Sequence, residues 1–178
     1  MCIRDRGRLR REISISKNQF GFMPGRSTVE VIHLIRRLIK VYRDRKKDLH
    51  MVFIDLEKPH DRVPREVLWE CLGKKGVSVA YILAVKDIYE GVQTSIRNSA
   101  GDMKYSLIDI RLHQGLALSP FLFTIIMDEL TRKIQDEVPW CMLFAHDIVL
   151  IDETRDELNE KLERWRHSLE SRGFRLRR

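Results

Sequence analysis

The stretch Trp140–Ile151 reads WCMLFAHDIVLI, and its pattern decides the fold. Two apolar runs, Trp140–Ala145 and Ile148–Ile151, flank the dipeptide His146-Asp147. Both are short and rich in strand formers, which predicts two strands joined by a tight hairpin turn. A hairpin tip is a place where a sheet can present a charge without burying it. A second short apolar run bounded by charge, His50–Asp55 (HMVFID), predicts a buried strand that ends on a carboxylate. If these elements pair in one sheet, Asp55 and Asp147 converge. Two converging carboxylates repel unless a divalent cation lies between them, and hard cations such as Mg²⁺ prefer carboxylate oxygen. Spacing alone leaves open that they are two unrelated surface aspartates.

Outward from these strands the chain punctuates itself with helices. Asn18–Ser27 is a loop with Gly21, Pro24 and Gly25 as breakers. Ser27 and Glu30 have capping-box spacing for a helix reaching Lys46–Asp48, with Ile32, Ile35, Ile39 and Tyr42 as its apolar stripe. Leu56–Val63 reads as a loop. Pro64 then opens a helix that stops at Gly76, and Ser78 caps another that ends at Gly91. Asn98–Gly101 joins two strands, Gln93–Arg97 and Met103–Ile108. Ser119-Pro120 opens a strongly apolar helix running to about Val138. Thr154 and Glu157 repeat the capping-box spacing before an amphipathic helix marked by Leu158, Leu162, Trp165 and Leu169, which Gly173 ends. This order predicts an α+β unit, an antiparallel sheet with helices packed on one face.

The 178 residues suit one compact unit, and 43% apolar with 33% charged residues excludes a disordered chain. No run approaches the length that crosses a bilayer, and no signal peptide is visible, so no membrane partner is expected. Cys2, Cys71 and Cys141 lie far apart and form no metal-type pair. Free thiols in a reducing compartment, nucleus or cytoplasm, are the simpler reading. The net charge of +7 is unevenly placed. Residues 1–50 carry 14 Lys or Arg against 5 Asp or Glu, and the remainder is slightly acidic. A basic end beside a carboxylate-bearing body fits a polyanion partner such as nucleic acid, or else a solvated helix face with a basic tail.

Five motifs resemble those of non-LTR (LINE-like) retrotransposon reverse transcriptases, in the same order and at similar intervals. Gln19–Thr28 (QFGFMPGRST) resembles the fingers motif and Phe53–Arg65 (FIDLEKPHDRVPR) motif A. Leu112–Phe123 (LHQGLALSPFLF) resembles motif B, Met142–Leu150 (MLFAHDIVL) motif C, and Lys161–Leu176 the start of motif D. The resemblance implies a reverse-transcriptase palm over about 51–178 with a fingers remnant over about 13–50, and no thumb. Met1–Gly7 (MCIRDRG) fits nothing that follows and resembles translated sequencing-adaptor sequence, so 1–12 is read as a non-native or disordered start.

The resemblance implies RNA-directed DNA synthesis on an RNA template, with a DNA primer and deoxynucleoside triphosphates as partners. Asp55 is then the motif A ligand of two Mg²⁺ ions, with the backbone carbonyl of Leu56 and the carboxylate of Asp147 beside it. Gln114 and Gly115 match the pair that lies along template and incoming nucleotide. Arg26 is placed to contact phosphate. Two positions depart from the family pattern. Motif C reads Phe144-Ala145-His146-Asp147, so His146 stands where the first catalytic aspartate is expected, and imidazole is a poor Mg²⁺ ligand. Motif A carries Pro59-His60-Asp61, so His60 replaces the aromatic that excludes a ribose 2′-hydroxyl, and Pro59 fixes a backbone angle next to it. Weakened metal binding and an impaired or inactive copy are therefore expected. The alternative is a non-catalytic nucleic-acid-binding remnant of a decayed element. A third reading, with the doublets His60-Asp61 and His146-Asp147 as phosphohydrolase-type metal ligands, needs them on helices, whereas the pattern puts them in a loop and a hairpin turn.

Overall fold

The computed structural model describes residues 13–90, 94–96, 104–106 and 118–177. Among them the strands are β1 (His50–Asp55), β2 (Thr94–Ile96), β3 (Lys104–Ser106), β4 (Cys141–Phe144) and β5 (Asp147–Asp152). The helices are α1 (Thr28–Asp44), α2 (Pro59–Arg62), α3 (Arg65–Lys74), α4 (Val79–Glu90), α5 (Ser119–Thr131) and α6 (Arg155–Glu170).

The apolar hairpin forms as expected, and β1 pairs with it. The sheet is antiparallel with order β1-β5-β4. Its middle strand is buried on both faces, which is why Ile148–Ile151 is a continuous apolar run and not an alternating one. One face carries Ile54, Leu143, Ile148 and Leu150 against α3, α5 and α6, including Leu72, Ile125 and Trp165. This is the expected antiparallel sheet with helices packed on one face. The opposite face carries Met142, Val149 and Ile151, and there Phe20 of the preceding loop and Val31 of α1 cover part of it. Each fully buried Leu, Ile or Phe side chain contributes roughly 1.5–3 kcal/mol of transfer free energy, so these two clusters dominate the stability.

Several boundaries differ from the expectations, each for a physical reason. β1 is an edge strand with only Ile54 buried, and Phe53 is 69% exposed. An apolar run alone does not distinguish edge from centre. In α1 the buried stripe is Val31, Leu34, Ile35, Leu38 and Tyr42, whereas Ile32 is exposed. Leu56–Val63 contains the short helix α2, with Pro59 in its first turn, where a missing amide hydrogen costs nothing. Lys58, immediately before it, is held at φ 43, the left-handed region that a non-glycine residue enters at a cost. Pro64 is the cap residue of α3 and not its first helical residue. Leu118, not Ser119, is the N-terminal cap position of α5. That helix ends at Thr131 and not near Val138, because Arg132–Val138 loses the apolar pattern and Asp136 turns toward Lys161, 2.9 Å away. The loop Asn98–Gly101 lies outside the described residues.

Two largely buried lysines tie distant segments together through ion pairs. Lys75, the C-terminal cap residue of α3, pairs with Asp128 on α5, and Asp128 Oδ1 also accepts the Ser16 amide at 3.0 Å. Lys161 on α6 contacts Asp136, Asp152 and the Ile151 carbonyl. Cys71 and Cys141 are free and buried, and burial pushes their thiols up to about 11 and about 12. No helix among the described residues is long and apolar enough to cross a membrane.

The two capping boxes are not equivalent. At α6 the Thr154 hydroxyl accepts from the Glu157 amide and donates to the Glu157 carboxylate at 2.7 Å. At α1 Ser27 accepts from the Glu30 amide, but the Glu30 carboxylate is taken by Arg26. Thr154→Ala is expected to destabilise the protein by about 1 kcal/mol, and Ser27→Ala by less. Urea denaturation of the two variants measures this. Equal losses would mean that the second arm of the box contributes nothing.

Candidate active site

The register of β1 on β5 sets Asp55 directly opposite Asp147, and Phe144 on β4 faces Asp147 from the other side. Cross-strand partners share a face. Both carboxylates therefore project on the face that α1 only partly covers, beside the exposed ring of Phe53. His146 lies in the two-residue turn between β4 and β5. One ligand atom each from Asp55, His146 and Asp147 lie within 4.8 Å of one another. The turn is tight enough to hold Ala145 at φ 58, the positive angle that primed hairpin turns require at their first residue. A non-glycine residue in that region stores strain, and such strain collects at functional sites.

The loop Asn18–Phe22 braces this turn. The Phe20 amide donates to the Leu143 carbonyl and the Leu143 amide to the Asn18 carbonyl, both at 2.8 Å, so the loop adds a parallel bridge at β4. Gly21 then passes directly over the turn. A Cβ built on Gly21 would lie 2.4 Å from the Ala145 nitrogen, which no real contact tolerates. The glycine was expected only as a loop breaker, and its reason is close approach. Gly21→Ala is expected to cost about 1–3 kcal/mol and to displace the His146-Asp147 turn, because both neighbours are backbone. A melting curve together with the amide NMR shifts of Ala145–Asp147 checks it. An unchanged melting temperature and unmoved shifts would rule the brace out.

The other side of the site is built by the residues after α6. Leu176 bridges Leu56, the Glu57 amide donates to the Arg175 carbonyl, and the Arg177 amide donates to the Asp55 carbonyl, each bond 2.8 Å. The Arg177 guanidinium sits 3.3 Å from Asp55 Oδ2. Arg62 holds the segment after β1 by bonding the Glu57 carboxylate at 2.8 Å and its carbonyl at 3.0 Å. Together these segments form a cleft of about 1140 Å³. Asp55, His146, Lys58, Arg62, Arg175 and Arg177 all line it. Cations beside a carboxylate pair suit a ligand that brings both phosphate and a metal ion.

The structure thus brings Asp55, His146 and Asp147 together, and Leu56 lines the same cleft. Leu56 is buried, and its bridge to Leu176 uses the Asp55 carbonyl and the Glu57 amide and not its own carbonyl. His60 stacks on Phe123 of α5, ring centroids 4.6 Å apart at 30°, so its ring is supported from the core side. Arg26 pairs with Glu30 at 2.6 Å, lies 4.6 Å over the Phe20 ring and donates to the Lys17 carbonyl. Its guanidinium anchors the bracing loop, a structural task that the sequence reading did not assign to it. Gln114 and Gly115 lie outside the described residues. The doublet His60-Asp61 falls on α2, while His146-Asp147 spans the turn and the start of β5, so the two are not arranged alike. Sequence reasoning missed Gly21, Phe53 and Arg177. Only the parity of Phe53 with Asp55 along one strand signalled that both share a face.

Two carboxylates and an imidazole fit a divalent cation as a class. They do not fit a pair of Mg²⁺ ions, which needs oxygen ligands and enough negative charge to offset both ions.

The profile described as "Reverse transcriptase (RNA-dependent DNA polymerase)" matches residues 6–178. A Pol polyprotein from the R2 retrotransposable element of Nasonia vitripennis is 24% identical over 91% of this chain and 17% of its own length. The R2DM polyprotein of Drosophila melanogaster is 26% identical over 95% of the chain and 17% of its own length. The chain thus spans about one-sixth of these curated relatives. Among solved structures, apo telomerase from Candida tropicalis superposes with a TM-score of 0.65 at 14% identity, covering 96% of this chain and 34% of that one. The same telomerase in complex with a fragment of telomeric RNA gives 0.64 at 15% identity, covering 97% and 31%. At such identity the likeness establishes the fold.

Proposed function

The chain belongs to the reverse transcriptase (RNA-dependent DNA polymerase) family, of the non-LTR retrotransposon kind, and from that premise we propose that it is a polymerase palm impaired at its own metal site. The palm corresponds to about 51–178 and the fingers remnant to about 13–50. Its reaction class is addition of deoxynucleotides to a primer 3′-hydroxyl on an RNA template, in the nucleus or cytoplasm of a host cell that carries a LINE-like element. Mg²⁺, when bound at such a site, orients the attacking hydroxyl and the triphosphate and stabilises the developing charge.

The observation that supports impairment is the composition of the site. Asp55 and Asp147 face each other across the β1–β5 pair, and an imidazole occupies the turn position next to them. The cleft carries Lys58, Arg62, Arg175 and Arg177 beside Glu57 and Glu170, and position 146 offers it an imidazole where the family pattern has a carboxylate. Asp55 and Asp147 would still orient a cation, Arg175 and Arg177 would still attract phosphate, and Phe53 would still offer a ring for stacking. The charge balance for two Mg²⁺ ions is what fails.

The exposed basic face of α1 favours a second reading, a nucleic-acid-binding remnant without turnover. Arg36, Arg37, Lys40 and Arg43 are all exposed on it. One experiment separates the two. The chain replaces the matching segment of the R2DM relative, and primer extension on RNA with Mg²⁺ is compared with its His146→Asp variant and with the double variant His146→Asp/Asp55→Asn. Extension by the single variant and none by the double supports a polymerase palm with its lesion at His146. Salt-sensitive RNA binding with no extension by any of them supports the remnant.

A further inference from the structure

Resting on the reading of this cleft as a polymerase metal site, we propose that His146 turns it into a site for one borderline first-row cation, with Zn²⁺ and Co²⁺ held by Asp55, His146 and Asp147 ahead of Mg²⁺. The three ligand atoms already lie within 4.8 Å of one another. Donors around a cation bound at about 2.0–2.2 Å sit roughly 3–4 Å apart, so closure needs an inward movement of about 1 Å. The side chains can supply it. Asp147 is exposed, and the Asp55 side chain is 42% exposed. The Arg177 guanidinium that holds Asp55 is itself 73% exposed and free to swing toward water.

Three further observations favour a single cation with some affinity for nitrogen. Two carboxylates neutralise one divalent ion, whereas two ions would leave an uncompensated double charge. Imidazole favours Zn²⁺ and Co²⁺ over Mg²⁺, which demands near-octahedral oxygen ligands and gives up its waters reluctantly. Finally, His146 Nδ1 is inaccessible and has no hydrogen-bond partner among the described residues. A buried polar atom without a partner is the exception in folded proteins, and a turn of the ring that carried this nitrogen to a cation between Asp55 and Asp147 would satisfy it. Among the described residues thiolates do not compete, since Cys71 and Cys141 are buried in the core.

The test titrates the purified chain with Co²⁺, Zn²⁺ and Mg²⁺ separately, reading Co²⁺ by its visible ligand-field bands and the others by calorimetry. We expect one Co²⁺ per chain, displaced by Zn²⁺, and Mg²⁺ weaker by about 100-fold or more. His146→Ala and, separately, Asp55→Asn are expected to remove the bands and to weaken Zn²⁺ at least about tenfold, with circular dichroism unchanged. His146→Gln serves if the alanine variant does not fold, and His146→Asp is expected to shift the ranking toward Mg²⁺. Zn²⁺ binding by His146→Ala within threefold of the parent, or Mg²⁺ binding the parent as tightly as Zn²⁺, would overturn the proposal. Its failure is distinct from failure of the polymerase reading. Extension by the His146→Asp chain without any Zn²⁺ preference in the parent sinks the metal proposal alone. Zn²⁺-selective binding with no extension by that variant sinks the polymerase reading and leaves the cation site standing.

Discussion

His146→Asp is expected to raise Mg²⁺-dependent primer extension on the order of 10²–10³-fold over the parent chain, the range seen when one preorganised charge-stabilising group is removed from or returned to an active site. Nothing else in the site needs rebuilding. The hairpin that carries position 146 is anchored by the Asp55–Asp147 register, the Phe20–Leu143 bond and the close pass of Gly21. An aspartate is smaller than a histidine, so the substitution overpacks nothing. The gain should be confined to kcat, because the new carboxylate acts on charge that develops in the reaction and not on template affinity. Measurable extension that rises less than about tenfold would locate the lesion elsewhere, with His60 the next residue to restore, whereas no extension by the variant would sink the polymerase reading.

The largest expected loss of stability lies at Lys161. Its ammonium is 2.8 Å from Asp152, 2.9 Å from Asp136 and 2.9 Å from the Ile151 carbonyl, with only 7% of the side chain exposed. Lys161→Ala leaves two carboxylates facing each other without their shared cation. Removing one member of a buried ionic cluster typically costs about 3–5 kcal/mol, and the lower end applies here because Asp136 is two-fifths exposed and stays partly hydrated. Urea denaturation at neutral pH reads this directly, and a loss under about 1 kcal/mol would reduce the cluster to an ordinary surface pair.

The pH dependence of the same cluster has a definite sign. Burial alone would raise the Asp152 carboxyl, but hydrogen bonds from Lys161 and the Glu153 amide outweigh it and hold the group below its ordinary 3.8. A depressed carboxylate stabilises the fold above its unfolded value, and that contribution disappears as pH falls below 3.8 through the folded value. For Lys161, burial opposes the charge while bonds to Asp152 and Asp136 favour it, with a net rise above 10.5. Its contribution is complete below 10.5 and is lost as pH rises through the folded value. Between these limits the cluster's contribution is flat. Melting curves from neutral pH down to 3 should show a steeper acid loss in the parent than in Lys161→Ala.

The parts of the fold that were legible in the sequence are those set by local rules. The hairpin at 141–152, the cap at Thr154 and the stop at Gly76 follow from runs, caps and breakers, whereas the convergence of Asp55 with Asp147 was left open by spacing and was implied only by the motif resemblance. The parts that were not legible depend on what covers a surface. Phe53 read as core because an apolar strand does not say whether a neighbour lies beyond it. The stripe on α1 shifted by one residue because a helix with isoleucines, leucines and valines around much of its circumference can present more than one face. Gly21 read as a breaker because its close neighbour is Ala145, far away along the chain. At the site, residue types and order were readable, while the bracing by residues 18–22 and 174–177 was not, since backbone pairing leaves no side-chain signature.

The central position of β5 carries a consequence for how the molecule comes together. Its neighbour β4 is only a two-residue turn away, whereas β1 precedes it by about ninety residues. The hairpin can close in microseconds, but docking β1 requires closing a much longer loop, with an entropic cost that grows slowly with length and a correspondingly later place in folding. A ribosome would release β1 well before β5, the strand it pairs with, exists. In that interval Met51–Ile54 is an unpaired apolar edge able to join another nascent chain. The carboxylates at the two strand ends come together only when β1 docks on β5, so the pairing of Asp55 with Asp147 depends on that late, long-range step.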